Sequence, residues 1–557
     1  MDKVWLRSYP PGVPPTVDVD RYSSLLELFH SSVEKYKDNI AFSSLGVLVT
    51  YQELDILSNH LAVFLQQGLK LKKGDRFAIM LPNILQFPVA LFAALKAGLI
   101  VVNVNPFYTV PELAHQLKDS GAVAILVFST VTCTLEQALD QTDIQHIIVT
   151  EVGDLLGWFK GSILNGIMRF KKSSLKKCIL PKVFYFKAAL KRGASVTFKK
   201  VVVHPEDIAL LQYTGGTTGH AKGAILTHHN LVANVIQNIA WVESLVEPGK
   251  EVSIIALPLY HIFSLMVSCL SFISIGVHGV LIADPRRIGQ FVSEIKSTQP
   301  TIFVGLNTLF RMLLDDLGFQ SLDFSHFKLT IAGGMPTQKD VVERWKQITG
   351  MTIIEGYGLT EASPVISINP VNLNLFNHSI GLPIPNTQIQ IRGEDGKVVE
   401  NGKTGELWVR GPQTMKGYWN QPEETVKVLD EEGWLFTGDM ARLDEAGFLY
   451  MMDRKKDMIS VSGFKIYPNE IEEVIEKHPK VDDVGVVGIP DDKTGEAVKA
   501  FVVKREGDLT QPELIQFCRE QLTGYKIPKE IEFVAELPKS TVGKVLRRKL
   551  RQQEIDK

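Results

Sequence analysis

The sequence predicts an α/β protein with a large N-terminal part and a small C-terminal part, and three observations support this prediction. The chain has 557 residues, which exceeds the usual size of a single hydrophobic core. Short apolar runs, such as 76–81 and 122–128, alternate with helical stretches, such as 84–97 and 341–349. This alternation is typical of parallel sheets flanked by helices. The pattern also changes in the last third of the chain and then begins again.

The last third supports a division into domains. Residues 381–418 contain short strands separated by turn signals, which predict a small β subdomain. After the charged segment 453–457, a natural hinge, the β/α pattern restarts. Its predicted elements are a helix from Pro468, strands at 483–489 and 499–504, and a helix at 512–522. We therefore expect an N-terminal domain over residues 1–455 and a C-terminal domain over residues 456–557.

Composition and charge exclude several classes of protein. Apolar residues make up 45% of the chain and charged residues 22%, as in ordinary globular proteins. A net charge of −2 disfavours nucleic acid as the main partner. The N-terminus carries charges where a signal peptide needs an apolar stretch, so we expect a cytoplasmic protein. The scattered cysteines argue against a disulfide framework or a zinc site; they are Cys133, Cys178, Cys269 and Cys518.

One long apolar stretch raises the question of a membrane span. Residues 252–283 contain no Asp, Glu, Lys or Arg, and their number would suffice to cross a bilayer. Pro258, His261 and Gly276 interrupt the stretch, which lies within the alternating α/β pattern. The sequence therefore predicts a buried helix and strand here.

The strongest local motif is a glycine-rich loop after the apolar strand 208–211. Glycines allow backbone N–H groups to approach phosphates, hydroxyls donate hydrogen bonds, and lysine supplies charge. No register of the segment matches a Walker A loop, and Gly223 and a second apolar strand follow the lysine, which excludes a P-loop enzyme. The predicted nucleotide-binding residues of this loop are Tyr213, Thr214, Gly215, Gly216, Thr217, Thr218, Gly219 and Lys222.

The loop resembles the phosphate-binding loop of the adenylate-forming superfamily, which includes acyl-CoA synthetases, peptide-synthetase adenylation domains and luciferases. Further motifs follow in that superfamily's order along almost the whole chain. They are Leu257-Pro-Leu-Tyr-His-Ile-Phe263, Ala332-Gly-Gly-Met-Pro336, Glu355-Gly-Tyr-Gly-Leu-Thr-Glu361, Gly433-Trp-Leu-Phe-Thr-Gly-Asp439, Asp453-Arg-Lys-Lys-Asp457, Ser462-Gly-Phe-Lys-Ile-Tyr-Pro468 and Leu537-Pro-Lys-Ser-Thr-Val-Gly-Lys544. The resemblance implies two α/β subdomains and a small β subdomain in the N-terminal domain, with a mobile α+β C-terminal domain.

The resemblance implies roles for the nucleotide site. Glu361 and Thr214 would bind Mg²⁺, for which carboxylate and hydroxyl oxygens are suitable ligands, and Thr360 would contact the α-phosphate. Asp439 and Arg454 would hold the ribose of ATP. Tyr357 would place its ring against adenine. The glycines that would approach the base and the acyl carboxylate are Gly333, Gly334, Gly356 and Gly358.

The resemblance also implies a two-step reaction. Lys544 would neutralise the attacking carboxylate and the α-phosphate. The C-terminal domain would then rotate at Lys456 and bring Ser462, Gly463 and Phe464 to the cleft for coenzyme A. His261 resembles an aromatic gate of the coenzyme A tunnel, although a buried core histidine is an alternative for this residue.

The region 433–468 resembles the signature of fatty acyl-CoA synthetases, and other segments resemble the long-chain synthetases of bacterial fatty-acid degradation. This implies a fatty acid, ATP and coenzyme A as substrates; a CoA-independent acyl-AMP ligase and a luciferase-type oxygenase are alternatives. Residues 155–192 mix apolar and basic side chains, which is typical of a peripheral membrane contact, although a basic surface loop is equally compatible. A homodimer is also compatible with the sequence.

Overall fold

A computed structural model of the protein describes residues 3–157, 161–166, 178–214, 221–462, 464–491, 494–505, 507–540 and 543–555. Within these ranges the chain forms four sheets. Two large sheets share one hydrophobic core, and the small C-terminal sheet has a core of its own.

The first large sheet has seven described strands. Its neighbours are parallel apart from the last two, which form an antiparallel hairpin. In order across the sheet, the strands are Val183–Tyr185, His146–Thr150, Ala124–Phe128, Arg76–Met80, Ile100–Asn103, Ile208–Tyr213 and Gly223–Thr227.

The second large sheet has nine described strands, with a parallel centre and antiparallel pairs at both ends. In order across the sheet, the strands are Leu382–Pro383, Val365–Ile368, Ile353–Gly358, Leu329–Ala332, Ile302–Gly305, Val252–Ile255, His278–Leu281, Ile40–Ser44 and Val47–Thr50. The central strands are almost continuously buried, because both faces of a parallel sheet are covered.

Helices surround these two sheets. In the described part of the N-terminal region, the α-helices are Leu25–Tyr36, Tyr51–Val63, Gln86–Lys96, Val110–Ser120, Thr132–Ala138, Phe186–Ala194, His228–Val242, Ile288–Thr298, Asn307–Leu314, Leu317–Gln320, Lys339–Thr349 and Pro422–Thr425, and residues 161–166 are also helical. The 3₁₀-helices are Val4–Ser8, Ser129–Val131, Leu139–Gln141, Val152–Leu155 and Thr360–Ala362. Two segments are π-helical, namely Phe64–Gly68 and Ser264–Ser271. The predicted helices at 84–97 and 341–349 are thereby confirmed.

The apolar stretch 252–283 is buried, as predicted. It contributes two strands to the centre of the nine-stranded sheet, and the helical turn Ser264–Ser271 between them is buried throughout. No helix within the described ranges combines the length and the apolar character that a bilayer crossing requires.

The third sheet is larger than the predicted β subdomain. Its strands are Gln388–Arg392, Thr404–Arg410, Leu435–Leu443 and Leu449–Arg454. Two of them lie beyond residue 418, so the predicted boundary was placed too early. The cause is a long connection between the second and third strands, which hides their pairing from a local reading of the sequence.

The fourth sheet begins after the short turn Lys455–Asp457 and belongs to the C-terminal region. Its strands are Phe464–Ile466, Ile459–Val461, Gly495–Lys504, Val481–Asp491 and Glu530–Phe533. The helical elements are Pro468–Glu476, Gln511–Gln521, Gly524–Lys526 and Arg547–Ile555. The predicted strands and helices of this region are present, whereas the domain boundary at 455/456 and the hinge stay predictions.

The expectation about cysteines was wrong for one pair. Cys133 and Cys178 form a disulfide, with their Cα atoms 5.2 Å apart. The two cysteines are separated by 45 positions in the sequence with no spacing signal, so only the tertiary fold brings the two thiols together.

Candidate active site

The glycine-rich loop connects the last two strands of the seven-stranded sheet. Tyr213 and Gly223 face each other as the final antiparallel pair, and the backbone N–H of Thr214 donates to the carbonyl of Lys222 at 3.0 Å. The hairpin thus holds both ends of the loop at one sheet edge. Gly215, Gly216, Thr217, Thr218 and Gly219 lie outside the described residues, and their predicted phosphate contacts stay predictions.

Two side chains of this loop are engaged by protein groups. The hydroxyl of Tyr213 donates to the carboxylate of Asp119. The ammonium of Lys222 pairs with Glu424 and lies 5.1 Å from the centre of the Tyr418 ring. Lys222 therefore stands at the edge of the site with its charge compensated, and a phosphate would have to compete with Glu424 for it.

Glu361 lies on the turn Thr360–Ala362, directly after the strand Ile353–Gly358 of the nine-stranded sheet. The hydroxyl of Tyr418 donates to Glu361 Oε1 at 2.7 Å, and the backbone N–H of Met415 donates to the Glu361 carbonyl at 2.8 Å. Burial raises the pKa of Glu361, and the hydrogen bond from Tyr418 partly offsets this effect. Tyr418 was not among the predicted site residues.

The segment that carries Tyr418 joins the two large sheets. Residues 416–419 run along the strand Gly223–Thr227, with hydrogen bonds from Trp419 N to Gly223 O at 2.8 Å and from Ile225 N to Gly417 O at 2.9 Å. The strand after the glycine loop is thus tied through this segment to Glu361. No local sequence pattern predicts this connection, since it depends on backbone hydrogen bonds between segments that are distant in the sequence.

The predicted ribose and adenine residues converge where the nine-stranded and four-stranded sheets meet. Asp439 and Arg454 are cross-strand partners in the four-stranded sheet, with Arg454 Nε 3.4 Å from Asp439 Oδ1. The hydroxyl of Tyr357, from the nine-stranded sheet, donates to Asp439 Oδ2 at 2.6 Å. Burial and the neighbouring Asp439 raise the pKa of Tyr357, so its hydroxyl stays a donor. Both Asp439 oxygens therefore have a partner already.

The predicted site glycines have packing reasons of their own. A Cβ at Gly333 would lie 2.9 Å from the Phe263 ring, and one at Gly358 would collide with the carbonyl of Pro364. Gly356 packs against Ser367 of the neighbouring strand, and Gly334 has a φ of +79°. At Gly333 and Gly358 the protein itself excludes a larger side chain, so these two glycines are explained without a ligand.

Lys544 reaches the same cleft from the C-terminal region. It belongs to a turn in which Ser540 N donates to the Lys544 carbonyl at 2.8 Å, and Gly543 packs against Thr308 of the N-terminal region. Lys544 is exposed to solvent, and the surrounding protein lowers its pKa to about 8, first by desolvation and then through the positive charge of Arg454. Lys544 therefore lies within electrostatic range of Asp439 and Arg454, and its catalytic role stays a prediction.

The proposed coenzyme A residues make different contacts. The backbone N–H of Ser462 donates to Thr494 at 2.8 Å, and the exposed ring of Phe464 stacks on Tyr525 with a centroid distance of 4.7 Å. Among the described residues, these contacts all lie within the C-terminal region; Gly463 lies outside the described residues. Lys456 occupies the turn between the third and fourth sheets.

His261 begins the buried helical segment that follows the first central strand. Its backbone N–H donates to the Pro258 carbonyl at 3.0 Å, and burial lowers the pKa of its imidazole. A neutral ring at a helix start is compatible with a gate and equally with a core histidine, so its role stays a prediction.

The described residues fit magnesium only together with phosphate. No cluster of three or more His, Cys, Asp or Glu side chains within the described ranges could hold an ion alone. The half-buried carboxylate of Glu361 supplies a hard oxygen ligand near the glycine loop. Magnesium commonly takes one or two protein carboxylates and completes its shell with phosphate and water, so the donor set is suitable.

The α/β fold and the two successive family matches place the chain in the class of AMP-binding enzymes. Two family models match in succession: the AMP-binding enzyme model over residues 29–419 and the AMP-binding enzyme C-terminal domain over residues 470–544. The chain belongs to the AMP-binding enzyme family, which confirms the predicted adenylate-forming superfamily.

Similar proteins match along nearly the full length. The chain is 51% identical to a long-chain-fatty-acid–CoA ligase of Yersinia pestis, with 100% of this chain and 99% of the relative covered. It is also 51% identical to the ligase of the same name from Escherichia coli O157:H7, with 99% and 98% covered. An anthranilate CoA ligase solved in complex with anthranoyl-AMP superposes with a TM-score of 0.84 at 23% identity, covering 97% of this chain and 99% of that one, which confirms the α/β fold.

Proposed function

We propose that this protein is an AMP-forming long-chain fatty acid–CoA ligase. The observation that supports the proposal is that Glu361 and Lys544 both interact electrostatically with the Asp439–Arg454 pair, although the four residues come from different parts of the fold. Relatives that are 51% identical over nearly the full chain carry the name of this activity.

In the first step, a fatty acid carboxylate oxygen attacks the α-phosphorus of ATP, the bond to the β-phosphate oxygen breaks, and pyrophosphate leaves with acyl-AMP as the product. The two reactants repel each other because both are anionic. Lys544 compensates charge at the attacking carboxylate and the α-phosphate, and Thr360 contacts that phosphate. Asp439 and Arg454 orient the ribose, and Tyr357 stacks on adenine. Magnesium held by Glu361 and Thr214 would neutralise charge on the phosphates.

In the second step, the thiol of coenzyme A attacks the acyl carbonyl carbon, the bond to the AMP phosphate oxygen breaks, and AMP leaves as the thiol proton is released. Ser462 and Phe464 rest on other parts of the C-terminal region while Lys544 is in the cleft. A rotation at Lys456 would exchange these two groups. One orientation of the C-terminal domain would present Lys544 for adenylation, and the other would present Ser462 and Phe464 for thioester formation.

The test measures AMP formation from ATP with palmitate, octanoate, acetate or benzoate, each with and without coenzyme A. We expect turnover that depends on both palmitate and coenzyme A, with palmitoyl-CoA as the product. Preference for acetate or benzoate would refute the fatty acid substrate. Palmitoyl-AMP accumulation that coenzyme A does not change would support a CoA-independent ligase, and absence of AMP with every acid would refute the enzyme assignment.

We also propose that the protein binds membranes peripherally through residues 155–192. The described part of this region exposes Ile163, Ile179 and Tyr185, and the helix Phe186–Ala194 carries Lys191 and Arg192 in its last turn. We expect the protein to cosediment with vesicles of anionic lipid at low salt. It should not cosediment with vesicles of neutral lipid at high salt. A homodimer stays a prediction that the single chain does not test.

A further inference from the structure

Arg547, three residues after Lys544, has a guanidinium group that is largely shielded from solvent. It begins the helix Arg547–Ile555, and only 11% of its side chain is exposed. Its Nη1 donates to Asp453 Oδ1 at 2.8 Å, and its Nε donates to Glu472 Oε1 at 3.0 Å. Nη2 donates to Asn469 as well. A guanidinium can satisfy several acceptors at fixed angles, so this geometry specifies its position closely.

The partners of Arg547 lie on opposite sides of the proposed hinge. Asp453 is in the strand Leu449–Arg454 of the four-stranded sheet, before Lys456. Glu472 is in the helix Pro468–Glu476 of the C-terminal region, after Lys456. A rotation at Lys456 would move Arg547 together with Glu472 and leave Asp453 behind.

Loss of the Arg547 contact would leave the carboxylate of Asp453 buried without a cation. Its side chain is 1% exposed, and its second oxygen accepts a hydrogen bond from the backbone N–H of Asn469 at 2.8 Å, also from beyond the hinge. A buried carboxylate without a cation is strongly disfavoured. Hence rotation requires Asp453 to gain water as it loses both contacts, and the closed pair favours the orientation seen here.

The position of Arg547 determines that of Lys544. The intervening turn is held by hydrogen bonds from Leu546 N to Pro538 O at 2.7 Å and from Ser540 N to Lys544 O at 2.8 Å. One helical turn later, Arg551 donates to Asp457 Oδ1 at 3.2 Å and to the Lys456 carbonyl at 3.3 Å. The C-terminal helix is therefore fastened to the hinge segment itself.

We propose that Arg547 is a positioning residue whose ion pair with Asp453 holds the C-terminal domain in the orientation that presents Lys544 to the cleft. The pair closes for adenylation and opens for thioester formation. This inference rests on the proposed function and deepens it, since it assigns a residue that favours one half-reaction over the other.

The test compares Arg547→Gln with Arg548→Gln in the full-length protein. Arg548 is the next residue of the same helix, is exposed, and makes no ion pair within the described residues, so it controls for loss of one positive charge. Palmitate-dependent exchange between ATP and pyrophosphate measures adenylation. Conversion of purified palmitoyl-AMP and coenzyme A to palmitoyl-CoA measures the second step alone.

We expect Arg547→Gln to slow adenylation by about 30-fold or more, because it removes one partner of a buried ion pair. Thioester formation from palmitoyl-AMP should stay at the wild-type rate or increase, which also shows that the variant is folded. Arg548→Gln should match the wild type in both assays. Asp453→Asn, which keeps the shape but removes the charge, should change the ratio of the two rates in the same direction as Arg547→Gln.

Equal losses in both half-reactions for Arg547→Gln, combined with an unchanged ratio for Asp453→Asn, would overturn the inference. So would adenylation by Arg547→Gln at the rate of Arg548→Gln. A wild-type protein inactive in both assays would instead refute the proposed function, so the two failures are distinguishable.

Discussion

The hydroxyl of Tyr418 allows a sharp test of how the site is organised. Tyr418→Phe deletes one oxygen, the donor to Glu361 Oε1 at 2.7 Å, and keeps the ring that lies 5.1 Å from Lys222. A hydrogen bond to a charged group contributes about 1.5–3 kcal/mol. Because Tyr418 is buried and Glu361 is half-buried, water has limited access to replace the lost donor. We therefore expect kcat/KM for adenylation to fall by about 10- to 100-fold.

The assay is palmitate-dependent exchange between ATP and pyrophosphate over a range of Mg²⁺ concentrations. If Glu361 holds the ion, Tyr418→Phe should need more Mg²⁺ for its half-maximal rate. The control is Tyr450→Phe, which removes a hydroxyl that donates to Asp444 at 3.1 Å, away from the cleft. Tyr418→Phe activity within twofold of the control, at every Mg²⁺ concentration, would refute the claim that this hydroxyl organises the site.

Substitutions at Lys544, Asp439 and Lys96 give further testable outcomes. Lys544→Ala should slow adenylation about 100-fold or more. Since the pKa of Lys544 is lowered to about 8, its cation is lost as the pH rises, so wild-type kcat/KM for adenylation should decline above about pH 8 while Lys544→Ala shows no such decline. Asp439→Asn should weaken AMP binding in calorimetry, because it removes the charge that pairs with Arg454; unchanged affinity would contradict the ribose role. Lys96→Ala removes the buried cation 2.6 Å from Asp55 and should lower the free energy of unfolding in urea by about 2 kcal/mol or more, with the activity per folded molecule unchanged.

Local sequence patterns predicted most of the fold. The run 84–97 is apolar on nearly every face, and the structure buries the helix Gln86–Lys96 completely. The uncharged stretch 252–283 was predicted to be buried because proline, histidine and glycine interrupt it, and its strands occupy the sheet centre. Such features succeed because burial of apolar surface dominates the choice of structure.

The failures share a different physical origin. The pairing of the second and third strands of the four-stranded sheet and the Cys133–Cys178 disulfide depend on contacts between distant segments, which no local pattern encodes. The basic residues between 539 and 551, taken alone, indicate a solvated helix, yet Arg547 is buried among carboxylates. Resemblance placed Asp439 and Glu361 in the site, but only the structure supplied Tyr418 as a partner of Glu361.

The nine-stranded sheet imposes an order of assembly on the newly made chain. Its strand Ile40–Ser44 pairs with His278–Leu281, and Phe42 lies opposite Gly279, about 240 residues later. At a synthesis rate of about 5–20 residues per second, the N-terminal hairpin waits roughly 10–50 s on the ribosome for its neighbour. The seven-stranded sheet receives all its described strands within that interval. During this time the strand edge of the hairpin is open to wrong partners, so this hairpin is where a chaperone would protect the growing chain.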